Sequence, residues 1–285
     1  MSAALAGAAT WWRSLRPAER LNTREALRAR IAAGIGVGGT MRAAASAQPD
    51  GRRDHAVLRH VLLNVPSGAN AAAERFDRWL LATHALAALR ARRRFFHREL
   101  RLQLKSAPAD RAMRILAFGA GPLPEALDVL DERGPDAPRA EVVLVDAAPD
   151  VVRAPGAPAV TFHAADPMSL LGAPPVDLLG DLDFAYSPYL FDHASDAEVL
   201  RSIDFLFAHL RPGGQLVFAH YDGELTDRDR LVLEAWLDWT PRFRTRKQLA
   251  RLLDRTDAKR HGDAVGLVRG PNVHVVVQKH RVVAG

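Results

Sequence analysis

Two hydrophobic patterns divide this chain. From Arg114 onward, short apolar runs alternate with stretches in which apolar residues recur every three or four positions, as strands alternating with helices require. Ile115, Leu116 and Phe118 form the first run, and Gly119 and Gly121 follow at once. Glu141-Val-Val-Leu-Val-Asp146, Val160-Thr-Phe-His163, Leu182-Asp-Phe-Ala-Tyr186 and Gln215-Leu-Val-Phe-Ala219 read as four more strands. Val199, Ile203, Leu206 and Leu210 predict a helix over 195–210. Ser195 and Glu198 have the spacing of a capping box at its start, and Arg211-Pro-Gly-Gly214 is expected to stop it. Val265–Val268 and Val273–Val277 predict a closing hairpin with Gly270-Pro-Asn272 as its turn.

The first 110 residues follow a helical period instead. Trp79, Ala82, Leu86, Leu89, Phe96, Leu100 and Leu104 recur at three- and four-residue steps, apart from an interruption at Arg93. They predict a buried stripe on one long helix, or two, over 72–105. Arg90, Arg94, Arg98, Arg101 and Lys105 lie along another face. Loops are expected at Ala45–Arg53 and Pro66–Asn70. Gly34-Ile-Gly-Val-Gly-Gly39 follows no strand and reads as a flexible loop, not a phosphate cradle. The whole predicts a mostly parallel α/β sheet with an antiparallel C-terminal hairpin strand and a helical N-terminal extension. The expected division is 1–110, a lid on the acceptor side, and 111–285, the sheet domain.

The turn after the first strand narrows the ligand. Gly119 and Gly121 let the backbone bend sharply and let a ligand approach with no Cβ in the way, and Pro124 suits the first turn of the next helix. A dinucleotide fingerprint would need a third glycine where Pro124 stands, and the P-loop Gly-Lys-Ser/Thr ending is missing. Asp146 ends the second strand, placed to accept from both ribose hydroxyls. Asp166-Pro167 follows the third, where adenine-edge contacts are expected. This order suits S-adenosylmethionine, with Phe118, Gly119, Ala120, Gly121, Asp146, Ala147, Asp166, Pro167 and Ser187 as the expected cofactor contacts.

Composition removes other chemistries. The 285 residues contain no cysteine, which excludes disulfides, thiolate catalysis and cysteine-ligated metals. No histidine cluster suggests a metal site. No apolar run is long enough to span a membrane, and the start lacks a basic leader region, so a cytoplasmic enzyme is expected. The net charge of +6 permits an anionic partner without naming one. The arginine face could dock an acidic acyl carrier protein; nucleic acid is not expected, because no binding module is recognisable.

Tyr186-Ser-Pro-Tyr-Leu-Phe-Asp192, Leu210-Arg-Pro-Gly-Gly214, Trp236-Leu-Asp-Trp239 and Phe243-Arg-Thr245 occur in one order. On these segments, over roughly 77–279, the chain resembles the bacterial methyltransferases of extracellular-factor (3-hydroxypalmitic acid methyl ester) biosynthesis. The resemblance implies a Rossmann-like class I methyltransferase sheet. It also implies carboxyl O-methylation of a 3-hydroxy fatty acid to a methyl-ester signal. Pro66-Ser-Gly-Ala-Asn70 stands where the family has Gly-Tyr-x-Gly-Asp, and His193 where it more often has an aromatic residue. These departures keep N-, S- or O-methylation of another metabolite in view, as well as a non-catalytic cofactor-binding subunit. Tyr189, His193 and His220 are the candidate catalytic residues. Tyr186, Tyr189, Tyr221 and Arg244 are the candidate acceptor contacts. A carboxylate acceptor is already ionised and needs no base; an alcohol or ammonium does.

Overall fold

A computed structural model describes residues 2–45, 52–122, 124–132, 139–147, 160–172, 180–223, 225–268 and 272–280. Most of the expected loop at Ala45–Arg53, Leu123 in the glycine turn, and Gly270 and Pro271 in the closing turn lie outside them. The chain forms two compact units, residues 1–91 with 224–241, and residues 92–223 with 242–285.

The larger unit holds a seven-stranded sheet of β1 (Met113–Phe118), β2 (Ala140–Asp146), β3 (Val160–Ala164), β4 (Leu182–Ser187), β5 (Leu210–Tyr221), β6 (Gly262–Val268) and β7 (Asn272–Lys279). Their order is β3-β2-β1-β4-β5-β7-β6. β7 pairs antiparallel with both β5 and β6, while β1 to β5 pair in parallel. Strand order reverses at β1, between β2 and β4, and in such sheets ligands bind outside the carboxyl ends at that point.

Both faces of the sheet are covered, so its strands are apolar on both sides. Leu116 and Phe118 face one core with Phe191, Val199, Ile203, Leu206, Phe218 and Leu249. Ile115 and Ala117 face the other with Phe96, Leu100, Leu127, Phe184 and Tyr186. The first core is covered by α8 (Asp196–Ala208) and α10 (Arg246–Leu253), the second by α7 (Glu125–Asp131) and the later part of α6 (His84–Lys105). α8 begins with the expected box: Glu198 N–H donates to Ser195 Oγ, and Ser195 N–H donates to Glu198. It ends at Ala208, short of the expected stop. Arg211-Pro-Gly-Gly214 belongs to β5 instead, in an irregular stretch between the Leu182–Leu210 and Phe184–Gln215 pairs. A bulge there tolerates Pro212, which has no N–H for the ladder, and Gly213 takes a φ of +80°.

The smaller unit is helical: α1 (Ser2–Ser14), α2 (Pro17–Ile35), α3 (Gly39–Ala45), α4 (Arg52–Leu63), α5 (Ala71–Leu81), the start of α6, and α9 (Asp227–Leu231), which continues as a π turn over Val232–Trp236. The boundary thus falls inside α6, between Ala91 and Arg92, and 224–241 joins the N-terminal residues. No glycine or proline marks that boundary in the sequence. The predicted 72–105 helix is two helices, because Thr83 caps Leu80 with both its N–H and its hydroxyl. Ala82 is exposed at this break and lies outside the buried stripe.

Asp77 organises this unit. Its carboxylate accepts from Thr40 N–H at 2.7 Å, Ser67 N–H at 3.0 Å and the His60 ring at 3.0 Å. Gly39 N–H also donates to the Ser67 carbonyl at 2.8 Å, and a Cβ on Gly39 would lie 2.2 Å from Ser67 Oγ. The end of the glycine segment is therefore a close-packed helix start and not a flexible loop. Asp77→Ala should destabilise the protein by about 3 kcal/mol, since it leaves a buried and a part-buried N–H without acceptors; chemical denaturation measures it.

Candidate active site

β1 delivers the chain to a turn built on two left-handed glycines, Gly119 at φ +70° and Gly121 at φ +73°. Gly119 and Ala120 donate their N–H groups to the Val145 carbonyl at 2.9 and 3.1 Å. Gly121 N–H donates to Asp146 Oδ2 at 2.9 Å. The turn after β1 is thus pinned to the last residues of β2. A Cβ on Gly119 would come within 2.8 Å of Leu190 Cβ, so glycine is required there by space as well as by φ. Pro124 sits at the N-cap of α7, one residue ahead of the first helical turn. Phe118 and Ala120 are buried, Asp146 is buried at the end of β2, and Ala147 is exposed beside it.

Asp166 is exposed and caps a short 3-10 turn over Pro167–Leu171, accepting from Met168 N–H at 3.0 Å. Pro167 has no N–H to offer an adenine edge. In their order along the sheet, a carboxylate ending β2, a glycine turn after β1 and an acid after β3 fit S-adenosylmethionine.

The segment after β4 is held by a buried arginine that the sequence pattern concealed. Arg92 donates from Nη1 to the Pro188 carbonyl at 2.9 Å and to Asp192 Oδ2 at 2.5 Å. Its Nε and Nη2 donate to Asn272 Oδ1 at 3.1 and 2.7 Å. Asp192 Oδ1 accepts from Tyr221 N–H at 2.7 Å. One ion pair therefore joins the β4 loop, the end of β5 and the start of β7. Burial disfavours both charges, but their attraction outweighs it: Asp192 stays below the usual carboxylate range and Arg92 above the usual arginine value. Arg92 lies three residues after Leu89 and four before Phe96, on the buried stripe; Arg93, which interrupts the pattern on paper, is the partly exposed one.

Several expected site residues are structural. Arg244 donates from Nε to Asp196, from Nη1 to the Phe191 carbonyl and to His220 Nε2, and from Nη2 to the Ala194 carbonyl. Every nitrogen of its fork is engaged, which removes it as a ligand for an acceptor carboxylate. His220 is buried, and its Nδ1 faces the Tyr221 carbonyl at 2.8 Å. Since Nε2 accepts from Arg244, the proton must sit on Nδ1. Burial lowers His220 to about 4, so it is neutral but has no open lone pair for base catalysis. His193 is exposed, two positions past Phe191. The Tyr221 ring lies under the Arg92 guanidinium at 4.8 Å.

Tyr186 and Tyr189 do come together, around a residue that sequence reasoning missed. Glu125, the first residue of α7, is fully buried. Its Oε1 accepts from Tyr189 Oη at 3.0 Å. Its Oε2 has no hydrogen-bond partner, nor do the buried hydroxyls of Tyr186 and Ser187. Burial raises the Glu125 carboxyl to about 7. The sequence signal available was an acid four residues past Gly121, which reads as an ordinary helix-start acid.

Two outcomes follow. Asp192→Ala should cost about 3–5 kcal/mol, because Arg92 keeps a buried charge without its partner; urea unfolding measures it. Glu125 is raised in the folded state, so its contribution is fully present below the unfolded carboxyl pKa near 4.5 and is lost as pH rises through about 7. Glu125→Gln should therefore gain stability over the natural protein between pH 5 and 8, by up to about 3 kcal/mol; thermal melts of both proteins across that range test the sign.

Residues 88–261, more than half of the chain, match the family of methyltransferase domains. No curated protein matches the sequence. Among solved structures, a possible exported protein from Bordetella parapertussis is similar at 17% identity and a TM-score of 0.59, over 98% of this chain and 96% of that one. A candidate methyltransferase from Thermobifida fusca YX is similar at 17% identity and a TM-score of 0.55, over 78% of this chain and 93% of that one. Both likenesses are of fold. With the family match over β1 to β5 and the glycine turn, the chain belongs to the methyltransferase-domain family.

Proposed function

We propose that the chain transfers the methyl group of S-adenosylmethionine to a nucleophile on a small molecule, outside the carboxyl ends of β1 and β4. The observation that carries this reading is the turn of Gly119 and Gly121 pinned to Asp146 at the reversal of strand order. Asp146 would hold the ribose hydroxyls, the Gly119–Gly121 backbone would lie along the methionine portion, and Asp166 would face the adenine. When bound, the cofactor supplies an electrophilic methyl on a sulfonium. The protein has then to align nucleophile, methyl carbon and sulfur and to exclude water, which is mainly positional work. Tyr186, Ser187 and Tyr189, buried at and just after the end of β4, would orient the nucleophile.

The resemblance to the extracellular-factor enzymes points to the carboxylate of a 3-hydroxy fatty acid. The exposed Arg94, Arg98, Arg101 and Lys105 suit an acidic carrier protein presenting such an acyl chain. A second reading, methylation of a nucleophile that carries a proton, is favoured by Glu125. When Glu125 is ionised its unpartnered oxygen only accepts, which mismatches a second carboxylate. Arg244, the cation expected to meet a carboxylate, is already engaged.

Asp146→Ala should weaken S-adenosylhomocysteine binding about 10- to 100-fold, as loss of a hydrogen-bonding charged group does. Asp146→Asn, which can still accept from Gly121, should lose less. Isothermal titration gives both values, and unchanged affinity in the alanine variant would contradict the ribose assignment.

A further inference from the structure

We propose that Glu125 is the residue that takes the proton from the acceptor, and that the acceptor is an amine. This inference rests on the methyltransferase reading and adds the substrate class to it.

Three observations carry it. First, the position: Glu125 follows the glycine turn of β1, and Tyr189 follows β4, so the 3.0 Å bond between them bridges the two strands at the point where strand order reverses. Ala117 and Tyr186 are direct partners in the ladder there. Second, the unmet bonding: Glu125 Oε2 and Tyr186 Oη are both buried and without partners. An ionised carboxylate only accepts, while a phenol can accept or donate. The pair is matched by a group that brings N–H donors, as an amine does. Buried polar atoms are nearly always bonded, so the unpartnered Glu125 Oε2, with the Tyr186 hydroxyl near it, marks a ligand position. Third, the charge: Arg93, the cation whose field reaches Glu125, is paired with Asp128. When Glu125 ionises, the set of Glu125, Asp128 and Arg93 carries one net negative charge, and a cationic amine completes it.

The groups facing Glu125 are Tyr189 after β4, Tyr186 on β4, Arg93 on α6 and Asp128 on α7. Burial and Asp128 oppose ionisation, while its own backbone N–H, Tyr189 and Arg93 favour it. The balance sets Glu125 close to neutrality, where a general base is most effective.

The bound ammonium gives a proton to Glu125 Oε2, and the carboxylate becomes a carboxylic acid. The freed nitrogen lone pair attacks the methyl carbon and forms the nitrogen–carbon bond. The carbon–sulfur bond breaks, and its electron pair stays on sulfur, which leaves as a neutral thioether. The nitrogen ends as the methylated ammonium, and Glu125 returns its proton to solvent after product leaves. No oxidant, reductant or metal takes part.

The test uses the full chain with S-adenosylmethionine and two acceptor sets: amines (amino acids, polyamines and aryl amines) and 3-hydroxy fatty acids. Mass spectrometry reads the gain of one methyl group. The expected result is methylation in the amine set, with an activity that rises through about pH 7, where Glu125 loses its proton. Glu125→Gln should lower kcat by about 100-fold or more, raise KM for the amine, leave S-adenosylhomocysteine affinity little changed, and abolish that rise. Tyr189→Phe, which removes a bond favouring the ionised carboxyl, should shift the rise to higher pH; this keeps the test open should the glutamine variant fold poorly.

Methylation of fatty acids alone would overturn the inference. So would no amine product from protein that binds S-adenosylhomocysteine, or a glutamine variant as active as the natural protein. If the natural protein binds neither S-adenosylmethionine nor S-adenosylhomocysteine, the methyltransferase reading itself fails and takes this inference with it. Calorimetry separates that failure from the others.

Discussion

The ion pair of Arg92 and Asp192 is the constraint on which the catalytic unit depends. Two charges are removed from water, at a cost that a bare pair seldom recovers. Here the guanidinium also donates to the Pro188 carbonyl and to Asn272, and the carboxylate also accepts from Tyr221 N–H. The charges are thereby saturated with hydrogen bonds, which is the condition under which a buried pair is tolerated. What the pair secures is position. It ties the loop after β4 to the strands that end beside it, and so fixes where Tyr189 stands. Tyr189 in turn fixes Glu125 across the end of the sheet.

A second network does the same on the neighbouring side. Arg244 binds two carbonyls, Asp196 and His220, and thereby anchors the residues on either side of His193. Charged side chains that a survey of the sequence would nominate for catalysis are used here to hold backbone. Among the buried side chains left unsatisfied, Glu125 and Tyr186 lie near one another at the end of the sheet. That contrast between saturated and unsaturated buried polar groups separates scaffold from candidate chemistry more sharply than residue type does.

The fold was largely legible in the sequence, because strand-length apolar runs ending at glycine or aspartate are local signals. β1 to β4 begin and end within a residue or two of their expected bounds, and the Ser195 box starts α8 as expected. The early end of α8 was not legible, since β5 captures Leu210 through pairing with Leu182, which no local pattern shows. The cofactor side of the site was legible for the same reason as the strands: Gly119, Gly121 and Asp146 are adjacent to strand ends. The acceptor side was not. Arg92 owes its burial to partners 100 and 180 residues away. Glu125 owes its raised carboxyl to burial beside Tyr189, 64 residues on. His220 and Arg244 looked available only because their mutual bond is long-range.

The most direct test of the account is a crystal structure of the protein grown with S-adenosylhomocysteine. The account predicts the ribose hydroxyls on Asp146, the backbone of Gly119 and Gly121 against the methionine portion, and the sulfur on the side of Glu125 and Tyr189. Density for the ligand elsewhere, or a ribose that makes no bond to Asp146, would contradict it.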